Sequence, residues 1–482
     1  MRPAPVHAAP SRTAPIHPLL FLALAAACAD KAPGDDTGAP RVGAPDERCA
    51  GFSSTPSSWS VPDSDFVFLY WWDSTLGERF SVIDLDGDGR RDLVVTREGV
   101  SDVPGSDGDF YWEFYQNTGE GFAAAAAWPV PSADESDLNR AYEANDHFAV
   151  LDLNGDGLPD LVRALDPETG ALPGGAEDPH WLLYPGDGAG FAAEPTTWPI
   201  PASAGEEFDA LSSGASYHSW ATLDLDGDGR PDLVHASDPD GSGGPFGSVE
   251  APVWHLYRNT GAGFEASPVD WPLPTGHKKG SFGTWEGEVG NYRHRLADLD
   301  ADGRVDLVET FETDTLDPSE WSDAEGYTFW KIYANTGAGF EPEGAPWWTP
   351  DANFDLLDLP RGWSSSEALT WRTADMGGGG TLDLVIAADP DATDTSFTDG
   401  GPHWRVYPSA QTGFAFEPVA WALPSADYNR LWSGDPAGAG AWDTFDLNGD
   451  GCADLVATAP PGADWPGSSQ GEPWAWTVYL GE

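Results

Sequence analysis

Six copies of one acidic pattern constrain this chain more than any other feature of its sequence. The pattern reads D-L-D-G-D-G from Asp84 and Asp224, D-L-N-G-D-G from Asp152 and Asp446, D-L-D-A-D-G from Asp298, and D-M-G-G-G-G from Asp375. The starts lie 68, 72, 74, 77 and 71 residues apart. A period of that length held through six copies calls for stacked or ring-forming units rather than one irregular core.

Each unit carries the same series of strand signals. Four residues ahead of the acidic core stands an aromatic or His (Phe80, Phe148, Trp220, His294, Trp371, Trp442), and Asp-Leu-Val follows it at Asp92, Asp160, Asp232, Asp306, Asp383 and Asp454. About thirty residues beyond each core comes an aromatic run, such as 112–115 or 181–184, and then Gly-Phe leading into a strand that ends in Trp. Four short strands per unit, repeated radially, predict an all-β, six-bladed β-propeller of four-stranded blades. The sixth unit stops at Glu482 without its Gly-Phe strand, while an extra copy, Gly51-Phe52 through Trp59, precedes the first core. The N-terminal strand is therefore expected to complete the last blade and close the ring. A linear stack is the alternative, and it leaves two unpaired edges.

Composition agrees with that architecture and removes several function classes. With 80 Asp and Glu against 23 Lys and Arg, the net charge is −57 across 482 residues. Such a surface repels polyanions, so nucleic acid is excluded as a partner, and a membrane is reached only through a lipid anchor. Disorder is excluded for the body of the chain by 24 Trp, 22 Phe and 13 Tyr, while 57 Gly and 43 Pro require many turns. A monomer is expected.

The chain begins with an address. Residues 1–28 place Arg2 and Arg12 before an apolar run, 19–27, that is too short to span a bilayer but suits a secretory signal. The run ends at Cys28 in a sequence resembling the lipobox of bacterial lipoproteins, where the Cys would be lipidated; Ala25 stands where that pattern has Leu. Ala27-Cys28-Ala29 also fits ordinary signal peptidase, which would discard Cys28. Residues 29–48 read as a flexible tether reaching about 25 Å root-mean-square. An exported protein is expected: an outer-membrane or cell-surface lipoprotein, or a secreted or periplasmic one without lipidation. The propeller occupies 49–482. Cys49 and Cys452 fall at the same end of the closing blade, as a disulfide or as two buried thiols.

The acidic loops carry the clearest chemistry. In D-x-D/N-x-D-G-x-x-D, alternate oxygen ligands of a tight turn converge, and hard oxygen donors suit Ca²⁺ rather than Zn²⁺. The proposed ligands are Asp84, Asp86, Asp88, the Arg90 carbonyl and Asp92 in the first loop, and Asp152, Asn154, Asp156, the Leu158 carbonyl and Asp160 in the second. The third uses Asp224, Asp226, Asp228, the Arg230 carbonyl and Asp232; the fourth Asp298, Asp300, Asp302, the Arg304 carbonyl and Asp306. The sixth uses Asp446, Asn448, Asp450, the Cys452 carbonyl and Asp454. The fifth keeps only Asp375 and Asp383, with Gly377 and Gly379 at ligand positions, and is expected to be empty or weak. An EF-hand is excluded, because the last acid falls at position nine and strands flank the loop. The bland alternative is that Asp and Gly merely make turns.

With these loops in view, residues 51–482 resemble the FG-GAP/VCBS repeats that build integrin α-subunit heads and many exported bacterial proteins. The resemblance implies that about five calcium ions brace the blades and do no catalysis. The departures are six blades where integrins have seven, and an Asn-Thr-Gly-x-Gly-Phe hairpin in place of the literal motif. It also implies that a partner meets the opposite face. The segments assigned there are 63–77, 132–146, 202–216, 275–291, 351–366 and 425–438, which carry Tyr70, Trp71, Trp72, Trp285, Trp363 and Trp432. Trp stacks on sugar rings or anchors protein interfaces, or else simply caps the blades. The expected role is a surface binding or adhesion module for a protein or carbohydrate partner. A polysaccharide-active enzyme, lyase or hydrolase, with a loop-built site is the alternative; His147, His218 and His294 lie in or just before inner strands and could approach the channel, although a packed strand His is the commoner case. No catalytic residue is assigned, because no Ser/His/Asp order or zinc motif stands out.

Overall fold

The structure, a computed structural model, describes residues 49–62, 72–73, 77–78, 80–96, 110–131, 148–166, 169–175, 177–202, 208, 211, 220–237, 245–248, 250–275, 277, 294–310, 328–350, 371–388, 397, 400–410, 412–431, 442–458 and 474–482. The signal segment and the tether lie outside them. So do Tyr70, Trp71, Trp285, Trp363, Trp432, His147 and His218, and so does the side chain of Trp72.

Six antiparallel sheets form the blades of a ring. Blade 1 comprises Phe80–Ile83, Asp92–Val95, Tyr111–Tyr115 and Ala126–Pro129, and blade 2 Phe148–Leu151, Asp160–Arg163, His180–Tyr184 and Thr196–Pro199. Blade 3 comprises Trp220–Leu223, Asp232–His235, Ala251–Tyr257 and Val269–Pro272, with Phe246–Ser248 added beside its third strand. Blade 4 holds His294–Ala297, Asp306–Glu309, Phe329–Tyr333 and Ala345–Trp348. Blade 5 holds Trp371–Ala374, Asp383–Ile386, His403–Tyr407 and Val419–Ala422; blade 6 holds Trp442–Phe445, Asp454–Ala457, Ala475–Tyr479 and, as its fourth strand, Ser57–Ser60.

Burial explains the strand sequences. The second strand of a blade lies between two others and is covered on both faces, so it reads as Asp-Leu-Val without alternation and is buried throughout in five of the six blades. The fourth strand lies on the outside of its blade, and in blade 4 it also pairs, in parallel at Trp348 and Gly413, with the short hairpin Ser409–Ala410 and Gly413–Phe414. It exposes its first two residues and buries one Trp, as in Ala126–Pro129 and Thr196–Pro199. That Trp faces another across the strand pair: Trp112 opposite Trp128, Trp181 opposite Trp198, Trp254 opposite Trp271, Trp330 opposite Trp347 and Trp404 opposite Trp421.

The apolar core lies between blades rather than in a single centre. Leu85, Trp112 and Trp128 of blade 1 pack with Phe148, Val150 and Phe191 of blade 2, and equivalent clusters fill all six interfaces. One of them joins Trp59, Leu447 and Trp476 of blade 6 to Phe80, Val82 and Leu93 of blade 1. A linear stack would lack that interface. The ring is closed, with Trp59 directly opposite Trp476, Ala50 N donating to Glu482 O and Glu482 N donating to Gly51 O at 2.9 Å. Cys49 and Cys452 form a disulfide at this seam, their Cα atoms 6.0 Å apart.

The Gly-Phe segment differs from its sequence reading as the start of the fourth strand. Phe122, Phe191, Phe264 and Phe340 make isolated bridges to Asn117, Gly186, Asn259 and Asn335, and the fourth strand starts several residues later. The Phe instead serves the preceding blade. Phe191 sits edge-on to Trp112 at 5.5 Å and Trp128 at 5.8 Å between ring centroids, and its N–H donates to Pro129 O. Phe264, Phe340, Phe414 and Phe52 repeat the ring contact. Edge-on aromatic pairs contribute about 0.5–1.5 kcal/mol beyond the area they bury, so each Phe ties two blades together.

Candidate metal loops

The first and second strands of every blade are joined by eight residues: 84–91, 152–159, 224–231, 298–305, 375–382 and 446–453. The first Asp of each loop organises the turn. Asp84 accepts from Gly87 N at 2.8 Å and Gly89 N at 2.9 Å, and Asp152, Asp224 and Asp446 repeat both bonds. Asp298 accepts from Asp302 N and Gly303 N. Gly at the fourth and sixth positions takes positive φ; in loop 4 the fourth position is Ala301, at φ 57°.

The ninth-position Asp anchors the other side of the loop. Asp92 accepts from Leu85 N at 3.1 Å and, across the blade, from Asn117 N at 2.8 Å. Asp160 and Asp454 hold Leu153 N with Gly186 N, and Leu447 N with Gly481 N. Asp232 and Asp306 accept from Asn259 N and Asn335 N. These five carboxylates are fully buried. Burial, reinforced by the neighbouring loop carboxylates, pushes Asp92, Asp160, Asp232 and Asp454 up to about 7 and Asp306 up to about 8.

These loops fit a hard divalent cation. Carboxylate oxygens of Asp84, Asp86 and Asp92 lie within 4.8 Å of one another, as do those of Asp224, Asp226 and Asp232, and of Asp298, Asp300 and Asp302. Asp226 Oδ1, Asp232 Oδ2 and Asp306 Oδ2 are buried with no hydrogen-bond partner. A buried carboxylate oxygen without a donor is costly, and a cation held there removes the cost. Asp88, Asp228, Asp156 and Asp450 lie at the fifth positions, and the carbonyls of Arg90, Leu158, Arg230, Arg304 and Cys452 complete the proposed ligand set. Loop 5 keeps the fold with only its first and ninth acids, Gly377 and Gly379 standing at the third and fifth positions. Asp375 accepts from Gly379 N and Gly380 N, Asp383 accepts from Met376 N and Ser409 N, and Gly378 lies against the Gly451 carbonyl of loop 6.

Two sets of polar contacts escape the loop motif. Arg90, Arg230 and Arg304 use their side chains as well: each donates from Nε to the carbonyl of Asn117, Asn259 or Asn335 and from Nη2 to the fifth-position Asp. The amide of each Asn reaches the preceding blade, bonding Leu447 O at 2.6 Å, Leu153 O at 2.7 Å and Leu225 O at 2.8 Å. The recurrence of Asn-Thr-Gly in the same three units was the available signal.

A family model described as FG-GAP-like repeat matches residues 84–163 and 152–235, and one described as FG-GAP repeat matches 444–476. Residues 84–235 and 444–476 carry FG-GAP repeats. Among solved structures, it is similar to the Photorhabdus luminescens Tc holotoxin pore at 17% identity, covering 89% of this chain but only 15% of that one, with a TM-score of 0.47. An Agrocybe aegerita lectin that recognises non-reducing terminal N-acetylglucosamine is similar at 15% identity, covering 85% of each chain, with a TM-score of 0.42. No curated protein matches the chain.

The blades also account for one of the histidines singled out in the sequence. His294 is buried in the first strand of blade 4, with its ring 4.9 Å from that of His277. The pair takes the place held by Phe208 and Trp220 in blade 3 and by Tyr428 and Trp442 in blade 6. His277 Nδ1 lies 4.0 Å from Glu309, which also accepts from the Tyr333 hydroxyl. This is an aromatic packing position with a polar edge.

Proposed function

We propose that this protein is an exported, calcium-stabilised FG-GAP propeller acting as a surface binding or adhesion module for a protein or carbohydrate partner. It is held to the membrane by a lipid on Cys28 or released by signal peptidase. The observation that carries the reading is the contrast between the two ends of the blades. Every first-to-second strand connection has eight residues, and five keep the acidic ligand pattern. The connections at the other end, such as 96–110, 310–328 and 458–474, differ in length and sequence. A constant braced frame with divergent loops suits recognition, because the frame fixes where variable side chains stand. Calcium would be held by the loop carboxylates and carbonyls, where it supplies charge compensation and stiffness rather than bond-making chemistry.

The deciding experiment is a glycan and protein array run with and without chelator, with product analysis of every retained carbohydrate. Retention without cleavage is expected. Turnover of a retained polysaccharide would overturn the binding-module reading, and a melting temperature indifferent to chelation would overturn the calcium role.

A further inference from the structure

The five full loops fall into two kinds, and the difference is correlated at three positions. Loops 1, 3 and 4 have Asp at the third position (Asp86, Asp226, Asp300), Arg at the seventh (Arg90, Arg230, Arg304) and Asn in the hairpin (Asn117, Asn259, Asn335). Loops 2 and 6 have Asn154 and Asn448, then Leu158 and Cys452, then Gly186 and Gly481. In both kinds the fifth-position carboxylate receives an N–H donor on Oδ2. It comes from the seventh-position guanidinium in loops 1, 3 and 4. In loops 2 and 6 it comes from the third-position amide, Asn154 Nδ2 to Asp156 at 3.0 Å and Asn448 Nδ2 to Asp450 at 2.9 Å. Four carboxylates with one guanidinium, or three carboxylates alone, give the ligand positions the same formal charge of −3. Arg91, next in loop 1, packs over the Phe445 ring of blade 6 instead.

We propose that Arg90, Arg230 and Arg304 are resident counter-cations that set the calcium affinity of loops 1, 3 and 4, bringing loops 1 and 4 to that of the Asn-containing loops and loop 3 below it. The proposal rests on the calcium reading above. Each guanidinium sits on a ligand carboxylate and is braced through Nε by the hairpin carbonyl, so it offsets the fourth Asp and holds the turn when no metal is bound. Loop 3 carries a second such group, because Arg258 Nε donates to Asp226 Oδ2 at 2.9 Å; in loop 1 the neutral Gln116 takes that role on Asp86. Loop 3 is accordingly the weakest of the five.

The test transplants the pattern. Calcium binding to the full chain is titrated against a calcium-indicating chelator for wild type, Asn154→Asp, and Asn154→Asp with Leu158→Arg. The added acid alone should tighten one equivalent about tenfold, the size of one unit charge acting on a divalent ion across a hydrated loop. The added arginine should return that equivalent to its original affinity. Leu158 lies against Gly87 as Arg230 lies against Gly155, so the new side chain enters a groove of the same kind. In the reciprocal variant, Arg90→Gln/Arg230→Gln/Arg304→Gln, three equivalents should tighten. Tightening that Leu158→Arg fails to reverse, or no tightening in Asn154→Asp, overturns the counter-cation role while leaving calcium binding intact. Wild type that binds no calcium and melts identically with chelator overturns the calcium reading itself.

Discussion

Arg230 of blade 3 lies directly across Gly155 of blade 2, so close that a Cβ on Gly155 would stand 2.4 Å from Arg230 Cγ. Arg304 crosses Gly227 and Arg90 crosses Gly449 in the same way, so one loop's seventh residue packs on the previous loop's glycine. Gly155→Ala therefore has to displace the Arg230 side chain of the neighbouring blade as well as strain its own φ of +78°. Gly157, at φ +89°, meets nothing within 4 Å. Gly157→Ala should cost about 1–2 kcal/mol from backbone strain alone, and Gly155→Ala measurably more. Denaturant midpoints of the two variants make the comparison.

Asn117 offers a second test of blade-to-blade coupling. Its Nδ2 donates to Leu447 O of blade 6 and Arg91 O of blade 1, and its Oδ1 accepts from Gly119 N. Asn117→Ala leaves one buried and one partly buried carbonyl without this donor. A loss of about 2–4 kcal/mol is expected from unfolding curves, against about 0.5 kcal/mol for Glu120→Ala on the exposed hairpin tip.

The pH response of chelated protein follows from the ninth-position acids. Asp92, Asp160, Asp232 and Asp454 titrate near 7 in the fold, with Asp306 near 8, against 3.8 for an unperturbed Asp. The folded state thus holds more protons than the unfolded state between about pH 4 and 8, so stability must fall as pH rises through that window. Calcium bound as proposed would compete with those protons, so its stabilising effect should grow over the same range. Melting temperatures from pH 4 to 8, with calcium and with chelator, should diverge. Parallel curves would contradict the assignment of these acids.

Asp232→Asn separates the two roles of that residue. The amide oxygen can still accept from Asn259 N, but the charge is gone. In chelator at pH 8 the variant should equal or exceed wild type in melting temperature, and in calcium it should fall below it.

Removing the seam disulfide with Cys49→Ser/Cys452→Ser should lower stability by about 3–5 kcal/mol, because the bond closes a loop of nearly the whole chain. The loss should be reproduced by reducing agent on wild type, read as a lowered melting temperature.

Much of this could be read from residues alone because the repeats are local and period-bound. Asp-Leu-Val marked every second strand, and the orphan Gly51-Phe52 strand identified the seam. What escaped depended on neighbours that only a closed ring provides. Phe191 looked like the start of its own blade's strand, yet its ring is captured by Trp112 and Trp128 of the blade before. Arg90 was legible as a backbone carbonyl, but its guanidinium finds Asp88 and the Asn117 carbonyl only because the third strand returns beside the loop. The long segments between blades lacked any repeat to compare, so their sequence offered candidate Trp residues without a geometry.

The pairing of Ser57–Ser60 with Ala475–Tyr479 also dictates an order of events. Ser57–Ser60 precedes blade 1 in the sequence while its docking strand, Ala475–Tyr479, follows blade 5, so Trp59 must wait for Trp476 through the synthesis of five complete blades. During that wait one blade edge and one apolar strand are both open to wrong partners. Propagation can run from blade 1 onward, but cooperative locking arrives only when Ala475–Tyr479 pairs with Ser57–Ser60, which makes the closed ring kinetically reluctant to reopen.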